Sequence, residues 1–319
     1  MGGCRETDGG RLWLCEKAVL GYTALTLVLI GMLWGRLVNP LPMLAGRVAV
    51  VVMTLLLWQA YRRWPCKEMA VVRVCAQMLQ LIWWYPDTYE FNRLFANFDH
   101  VFATWEQVLF GCQPALVCSQ WLPQAWISEP LSLGYVSYYP MIATLTIYYF
   151  VRQYERFTYG AFVILASFFL FYVVFIALPV AGPQFYYQAV GLDQIAAGVF
   201  PDVGHYFMTH QEALPPPGAD GPFHELVLLA HAAGERPTAA FPSSHVGVSV
   251  VLLWLAREVR AWWLLAILTV LTVLMFFATF YIQAHYAIDA IAGIFVGTAM
   301  YFLLRAVYRR LSPFPEAKP

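Results

Sequence analysis

Two short stretches of this sequence combine histidine with serine or aspartate and could carry out chemistry. Residues 241–245 read FPSSH, and residues 285–289 read HYAID. Each stretch stands at the beginning of a long apolar run. An imidazole can attack phosphorus as a nucleophile, or it can act as a general acid or base. His245 and His285 are therefore candidate catalytic residues.

The second stretch has a spacing that favours one orientation of its histidine. Asp289 follows His285 by four residues, so on a helix the two side chains would share a face. Asp289 could then accept a hydrogen bond from one imidazole nitrogen, which leaves the other nitrogen free and more basic. An imidazole oriented in this way could make His285 a nucleophile for phosphorus or a general base, with His245 as the complementary acid that protonates a leaving alkoxide. A purely structural histidine–aspartate pair and a metal site made of the three side chains are alternative interpretations.

The serines of the first stretch indicate the start of a helix. Pro242, Ser243 and Ser244 are of residue types that favour helix N-termini, where a serine hydroxyl can cap the first amides. Such a terminus attracts phosphate through its amides and through the positive end of the helix dipole. We therefore expect Ser243 and Ser244 to bind a substrate phosphate. A simple capping role would leave the same pattern.

The composition of the whole chain shows where these stretches must lie. Of 319 residues, 61% are hydrophobic and only 12% are charged, about half the usual charged share of a soluble domain. The excess apolar sequence must face lipid, so we predict an integral membrane protein. Nineteen basic and nineteen acidic residues cancel, which gives no electrostatic reason to expect nucleic acid as a partner.

Eight apolar segments can be distinguished along the chain. They are continuous runs without the two-residue alternation of a membrane β-barrel strand. We therefore predict an all-α, polytopic bundle of about eight transmembrane helices. The third segment contains Arg73, and as an interfacial helix it would leave seven spans. The segments are residues 18–35, 43–61, 69–85, 133–151, 159–180, 243–256, 261–282 and 286–304.

The distribution of basic residues predicts the orientation of these helices. With the N-terminus in the cytoplasm and eight alternating spans, 15 of the 19 Lys and Arg residues fall on the cytoplasmic side. This split agrees with the positive-inside rule. Both termini are then cytoplasmic, and both histidine stretches lie at the outer, non-cytoplasmic face. The residues left on the outer side are Arg36, Arg47, Arg93 and Arg236.

The predicted spans divide the chain into three parts. Residues 1–85 hold the N-terminal transmembrane helices, and residues 86–132 form an external segment. Residues 133–319 form a catalytic membrane core that contains a second external segment at 181–242. A short helix is predicted within it at residues 223–233.

Cys112 and Cys118 both fall in the first external segment. They could form a disulfide if that compartment is oxidising, or they could remain two partly buried thiols. The other four cysteines lie on or near the cytoplasmic side and should stay reduced. No cysteine spacing resembles a zinc site.

Both histidine stretches resemble the type 2 phosphatidic acid phosphatase superfamily. Its second motif is Pro-Ser-Gly-His, which residues 242–245 match with serine in place of glycine. Its third motif ends in a histidine with an aspartate four residues on, which His285 and Asp289 match. Gly293 also matches a glycine that commonly follows. The resemblance implies that His285 forms a phosphohistidine, Asp289 orients it and His245 is the general acid, with no metal ion or other cofactor.

The chain departs from this pattern at the basic residues that normally hold the phosphate. The first motif, a lysine with a downstream Arg-Pro, should fall near residues 178–186, which contain no basic residue. The Ser-Arg of the third motif is replaced by Ala278-Thr279. Phosphoryl transfer depends on such charge. Arg236 is the only basic residue of the second external segment, so we expect it to bind part of the phosphate. A surface role would be the alternative.

The same departures resemble one branch of the superfamily. Inositol phosphorylceramide synthases and sphingomyelin synthases keep both histidines and the aspartate but lack the full basic motifs. Asp99, residues 109–111 and residues 133–139 resemble the region before the core in the former and their bacterial relatives. Those relatives often carry arginine where this chain has Gln184. The resemblance covers roughly residues 98–304.

The resemblance implies a membrane phosphotransferase that acts on a phospholipid donor and a lipid acceptor. His285 would attack the head-group phosphate, and a lipid hydroxyl such as that of ceramide would then take the phospho-head group, with phosphoinositol as the expected group. Water could resolve the same intermediate, which would make the protein a lipid phosphate phosphatase. A non-enzymatic phospholipid-binding membrane protein is a further alternative, favoured by the missing basic residues.

Overall fold

The computed structural model describes residues 10–312, and within that range the chain is helical with no β-strand. Arg5, Cys4 and Lys318, which entered the charge and cysteine predictions, lie outside the described residues. The fifteen α-helices are α1 Leu14–Leu33, α2 Pro40–Arg63, α3 Lys67–Leu79, α4 Leu81–Asn92, α5 Asp99–Phe110, α6 Pro114–Trp121, α7 Ala125–Val136, α8 Tyr138–Arg152, α9 Phe157–Ala177, α10 Pro183–Val190, α11 Leu192–Ala196, α12 Pro222–Ala232, α13 Ser244–Glu258, α14 Trp262–Tyr281 and α15 Ala287–Leu311. The predicted all-α class is confirmed.

Five of the described helices are long and apolar enough to cross a membrane. They are α1, α2, α9 with the turn before it, α14 and α15. The other three predicted spans correspond to shorter helices. The third is divided at Gln80 into α3 and α4, and the fourth is divided at Ser137 into α7 and α8. The sixth is α13, which has 15 residues. The count of eight spans and their orientation stay predictions.

Two buried ion pairs account for charges within the N-terminal helices. Arg73 of α3 pairs with Glu16 of α1 at 2.5 Å. Arg47 pairs with Asp87 at the same distance. A charged group at membrane depth needs such a partner, because no water is there to solvate it. Arg47 was predicted to lie on the outer side, but it is fully buried within α2, so it is not a loop charge that sets orientation.

The predicted external segments are folded into short helices that pack over the bundle. The first contains α5, α6 and most of α7, and its Cys112 and Cys118 are free thiols, so the disulfide alternative is not formed. The second contains α10, α11 and α12. Helix α12 spans Pro222–Ala232, which confirms the helix predicted at residues 223–233 to within one residue.

Helices α13 and α15 make the most extensive contact in the bundle, and glycines permit it. A Cβ atom at Gly297 would lie 2.2 Å from the carbonyl oxygen of Gly247. A Cβ atom at Gly293 would lie 2.7 Å from the carbonyl oxygen of Ser243. Small residues let helix backbones approach closely in this way. The contact holds the N-terminal ends of the two helices, and with them both histidine stretches, side by side.

We expect Gly297→Ala to destabilise the protein by about 1–3 kcal/mol, because the added methyl group would collide with the backbone of α13. The variant should also lose activity, since separating α13 from α15 moves the two histidines apart. Gly31→Ala is the matched control, because a Cβ atom there would have nothing within 4 Å. Thermal unfolding in detergent tests both variants. Equal melting temperatures for the two would contradict the predicted collision.

Candidate functional site

The structure brings the two predicted histidines into direct contact. Nδ1 of His245, in the first turn of α13, lies 3.2 Å from Nε2 of His285, in the loop between α14 and α15. The two residues are forty positions apart in the sequence. His285 is only 3% exposed, whereas His245 is half-buried. A molecule that enters from the surface would therefore meet His245 before it meets His285.

A backbone carbonyl determines which nitrogen of His285 carries the proton. Nδ1 of His285 lies 2.7 Å from the carbonyl oxygen of Ala240. A carbonyl can only accept, so Nδ1 of His285 must donate the proton. In the neutral ring Nε2 is then an acceptor with a free electron pair. The facing Nδ1 of His245 must supply the proton of the bond between the two histidines.

Asp289 lies near His285 but does not orient it through the expected contact. The structure begins α15 at Ala287, so His285 precedes the helix and the predicted shared helix face is wrong. Oδ2 of Asp289 lies 3.7 Å from Nδ1 of His285, beyond hydrogen-bond distance. The same oxygen accepts a hydrogen bond of 2.8 Å from the amide of Tyr286. Asp289 therefore caps the start of α15.

Burial keeps His285 neutral. It lowers the pKa of this imidazole from about 6.5 to about 4, although the Ala240 hydrogen bond and the charge of Glu235 act in the opposite direction. Taking a charged ring out of water costs more free energy than these partners return. At neutral pH, Nε2 of His285 is therefore unprotonated, as a nucleophile must be.

Two tyrosine rings hold His245 in place. The ring of Tyr135 stacks on it at a centroid distance of 4.9 Å, and the ring of Tyr138 packs at 4.6 Å. The hydroxyl of Tyr138 also donates to the carbonyl oxygen of Ser244 at 3.3 Å. Both tyrosines belong to residues 133–139. The contacts fix the imidazole plane from the α7 and α8 side of the bundle.

The serines form the helix start that the sequence predicted. Ser243 is the N-cap of α13, and its hydroxyl accepts a hydrogen bond from the amide of Val246. The amide of Ser243 donates to the carbonyl oxygen of Asp289 at 3.0 Å, which ties α13 to α15. Both serines are buried. The first amides of a helix have no partner within the helix, so this terminus can accept an anion.

Two buried carboxylates from α5 support the loop that carries His285. Asp99 accepts hydrogen bonds from the amides of Ala181 and Gly182, at 2.6 and 2.8 Å, and from the Tyr286 hydroxyl at 3.0 Å. Glu106 accepts from the amide of Ala287 at 2.5 Å. The sequence singled out Asp99 only as part of a family resemblance, and it gave no reason to select Glu106. Their contacts join residues more than 80 positions apart.

Residues 100–303 match the family model of the PAP2 superfamily, the type 2 phosphatidic acid phosphatases and their relatives. The matched region is more than half of the chain and includes both histidine stretches. The chain belongs to the PAP2 superfamily. This superfamily includes lipid phosphatases and phosphotransferases. The match does not distinguish the inositol phosphorylceramide synthase branch. No curated protein and no solved structure matches the chain.

Gln184, in the segment 178–186 that contains no basic residue, contacts an acidic side chain beside the site. Its side-chain amide donates to the carboxylate of Glu235, which also accepts from the Tyr135 hydroxyl at 3.1 Å. The loop before Gln184 packs closely against the segment that carries His285. A Cβ atom at Gly182 would lie only 2.8 Å from the carbonyl oxygen of Ala284. The sequence analysis did not identify Glu235 as a site residue. The only feature that could have pointed to it is its position directly before Arg236.

Arg236 lies in the same loop but contacts other partners. Among the described residues it donates a hydrogen bond to the side-chain oxygen of Gln211. Its charge also acts on Tyr89 and Glu90. The structure therefore does not bring Arg236 to the two histidines, and its phosphate-binding role stays a prediction. Within residues 10–312, no group of three or more His, Cys, Asp or Glu side chains is arranged to hold a metal ion.

The titration of Glu106 should make the stability of this PAP2 protein depend on pH. Burial and the nearby charge of Asp289 raise the pKa of Glu106 from about 4.5 to about 8. The folded state then binds this proton more tightly than the unfolded state does. The stabilisation is present below about pH 4.5 and is lost as the pH rises through about 8. We expect a loss of about 3–5 kcal/mol across that range.

Glu106→Gln tests this prediction, because the amide resembles the protonated carboxyl but does not titrate. The variant should flatten the decline in melting temperature between about pH 5 and about pH 9. Glu129→Gln is the matched control, since Glu129 caps the amides of Phe223 and His224 at the start of α12 but is half-exposed. A wild-type protein whose stability rises with pH over this range would contradict the assignment to Glu106.

Proposed function

We propose that this protein is a membrane phosphotransferase that moves a phospho-head group from a phospholipid to a lipid hydroxyl through a phosphohistidine at His285. One observation carries the proposal. Nε2 of His285 is unprotonated, because the Ala240 carbonyl holds the proton on Nδ1, and it faces an N–H of His245 at 3.2 Å. A nucleophile and an acid thus stand side by side at the start of a helix.

In the first step, Nε2 of His285 attacks the head-group phosphorus and the bond from phosphorus to the diacylglycerol oxygen breaks. His245 must take up a second proton when the anionic phosphate binds beside it. This imidazolium gives its Nδ1 proton to that oxygen, so diacylglycerol leaves as a neutral alcohol and His245 becomes neutral. In the second step, the oxygen of the acceptor hydroxyl attacks phosphorus and the hydroxyl gives its proton to His245. The bond between His285 and phosphorus then breaks. Both histidines end in their starting states.

The contact between the histidines implies what the substrate must do on binding. In the unliganded site, the lone pair of the His285 Nε2 atom accepts the proton of His245. The phosphate must therefore enter between the two rings and replace that hydrogen bond. His285 can then attack phosphorus from one side while His245 protonates the leaving oxygen on the other, as an in-line displacement requires. We propose that the hydroxyls of Ser243 and Ser244 and the amide of Ser244 hold the phosphate oxygens there, with Arg236 contributing charge.

Phosphatidylinositol as donor and ceramide as acceptor are the proposed substrates. Their support is the resemblance of residues 98–304 to the inositol phosphorylceramide synthases, and they are proposed together with an active site on the non-cytoplasmic face. The half-buried position of His245 also supports a second candidate, a lipid phosphate phosphatase, since water could reach the intermediate from that side.

The deciding experiment incubates the purified protein in detergent with phospholipids labelled in the head group, with and without ceramide. Transfer of the label to ceramide would support the transferase and would name the donor. Release of the label without any dependence on acceptor would support the phosphatase. Saturable binding of phospholipid without turnover would contradict both enzyme proposals and favour a lipid-binding protein.

A further inference from the structure

A polar cavity lies at the C-terminal ends of α13 and α15, opposite the ends near the two histidines. It has a volume of about 300 Å³. Helix α13 has 15 residues, so this end lies about 22 Å from the end that bears His245. The cavity is therefore separate from the candidate active site. Its ionisable lining consists of Arg156, Arg257, Arg260, Arg305, Arg309 and Glu258.

The ionisable lining of this cavity is strongly positive. Five arginines face one glutamate, which leaves a formal excess of four positive charges. The carboxylate of Glu258 is already engaged, since it accepts hydrogen bonds from the hydroxyls of Tyr159 and Tyr301 at 2.8 and 2.7 Å. It also lies 3.5 Å from the guanidinium of Arg305. It lies 3.9 Å from the guanidinium of Arg156 as well. Glu258 thus holds the cavity wall in place and offsets only one of the five positive charges.

The remaining lining of the cavity is aromatic and reaches the outer surface of the bundle. Trp254 stacks on Tyr301 at a centroid distance of 5.7 Å, and the guanidinium of Arg257 lies 5.5 Å from the Trp254 ring. Phe302 is 48% exposed. It belongs to α15, which is long and apolar enough to span a membrane, so we expect its exposed ring to face lipid. The cavity therefore joins a basic region to an apolar wall.

We propose that this cavity binds the phosphorylated head group of an anionic membrane lipid. Guanidinium groups match phosphate oxygens in geometry and charge. Basic pockets between transmembrane helices bind anionic head groups in this way. The lipid, and not free phosphate, is the proposed ligand because Trp254 and Phe302 give its glycerol and acyl chains an apolar wall. The predicted orientation places the cavity on the cytoplasmic face, where anionic lipids are enriched.

The proposal is tested on the full chain carrying His285→Ala, so that no lipid is consumed at the histidines. Binding of dioctanoyl phosphatidylinositol 4-phosphate is measured by native mass spectrometry in detergent. The test variant is Arg257→Gln with Arg260→Gln, both exposed, so that folding is preserved. The matched control is Arg62→Gln with Arg63→Gln, an exposed pair at the end of α2 in which Arg62 also lies over a tryptophan.

We expect the test variant to bind the lipid about 30-fold more weakly than its parent, since each arginine near a membrane surface strengthens binding about fivefold and two are removed. The control pair should bind like the parent. Equal losses in both pairs would overturn the proposal, because any basic surface would then suffice. Displacement of the lipid by an equal concentration of inorganic phosphate would overturn the lipid assignment. The result is independent of the proposed transferase activity, which the binding assay does not measure.

Discussion

Replacing His285 by alanine is expected to lower turnover by at least about 10⁴-fold, because the substitution removes the proposed nucleophile. The wild-type protein should also retain label from a head-group-labelled donor in the absence of acceptor. That label should be lost in acid and stable in base, as expected for a phosphorus–nitrogen bond. Acid and base quenching of the labelled protein, followed by counting of the bound label, measures this intermediate directly.

His205→Ala is the control for the loss of a histidine, since His205 is exposed in the second external segment. It should keep both turnover and label. His285→Gln serves as a second variant, because its side chain can still donate to the Ala240 carbonyl and so preserves the loop. Turnover above one tenth of the wild-type rate in both His285 variants would rule out a phosphohistidine at this position.

Replacing His245 by asparagine should have the second largest effect, and its size should depend on the leaving group. The general acid matters most when the departing alkoxide is strongly basic. We therefore expect a loss of about 10²–10⁴-fold with a natural phospholipid donor. A donor that releases p-nitrophenolate needs little protonation of its leaving group, so with this donor the variant should lose less than about tenfold in rate. Initial rates with both donors give the comparison.

Asparagine is chosen at this position because its amide can still donate to Nε2 of His285 and fill part of the space between Tyr135 and Tyr138. A merely positioning role for His245 would lower the rates with both donors to the same extent. That result would remove His245 from the role of acid and leave His285 as nucleophile. Melting temperatures of the variant and the wild type exclude loss of fold as the cause.

The sequence was sufficient wherever the signal was local. Its low charge and continuous apolar runs indicated a helical membrane protein, which the described helices confirm. Pro242 and the two serines after it predicted the start of α13, and the structure begins that helix at Ser244. The motif spacing indicated the superfamily to which residues 100–303 belong. Each of these inferences rests on neighbouring residues, whose geometry the backbone fixes.

Only the tertiary structure decided what surrounds these residues. The Ala240 carbonyl, and not Asp289, accepts the hydrogen bond from Nδ1 of His285, although Ala240 and His285 are 45 positions apart in the sequence. Glu106 reaches the start of α15 from a helix 181 residues earlier. Arg73 is tolerated within an apolar segment because Glu16 lies opposite it. Backbone carbonyls carry no side-chain signal, and long-range partners depend on helix packing. A linear pattern could identify the groups but not which atoms they meet.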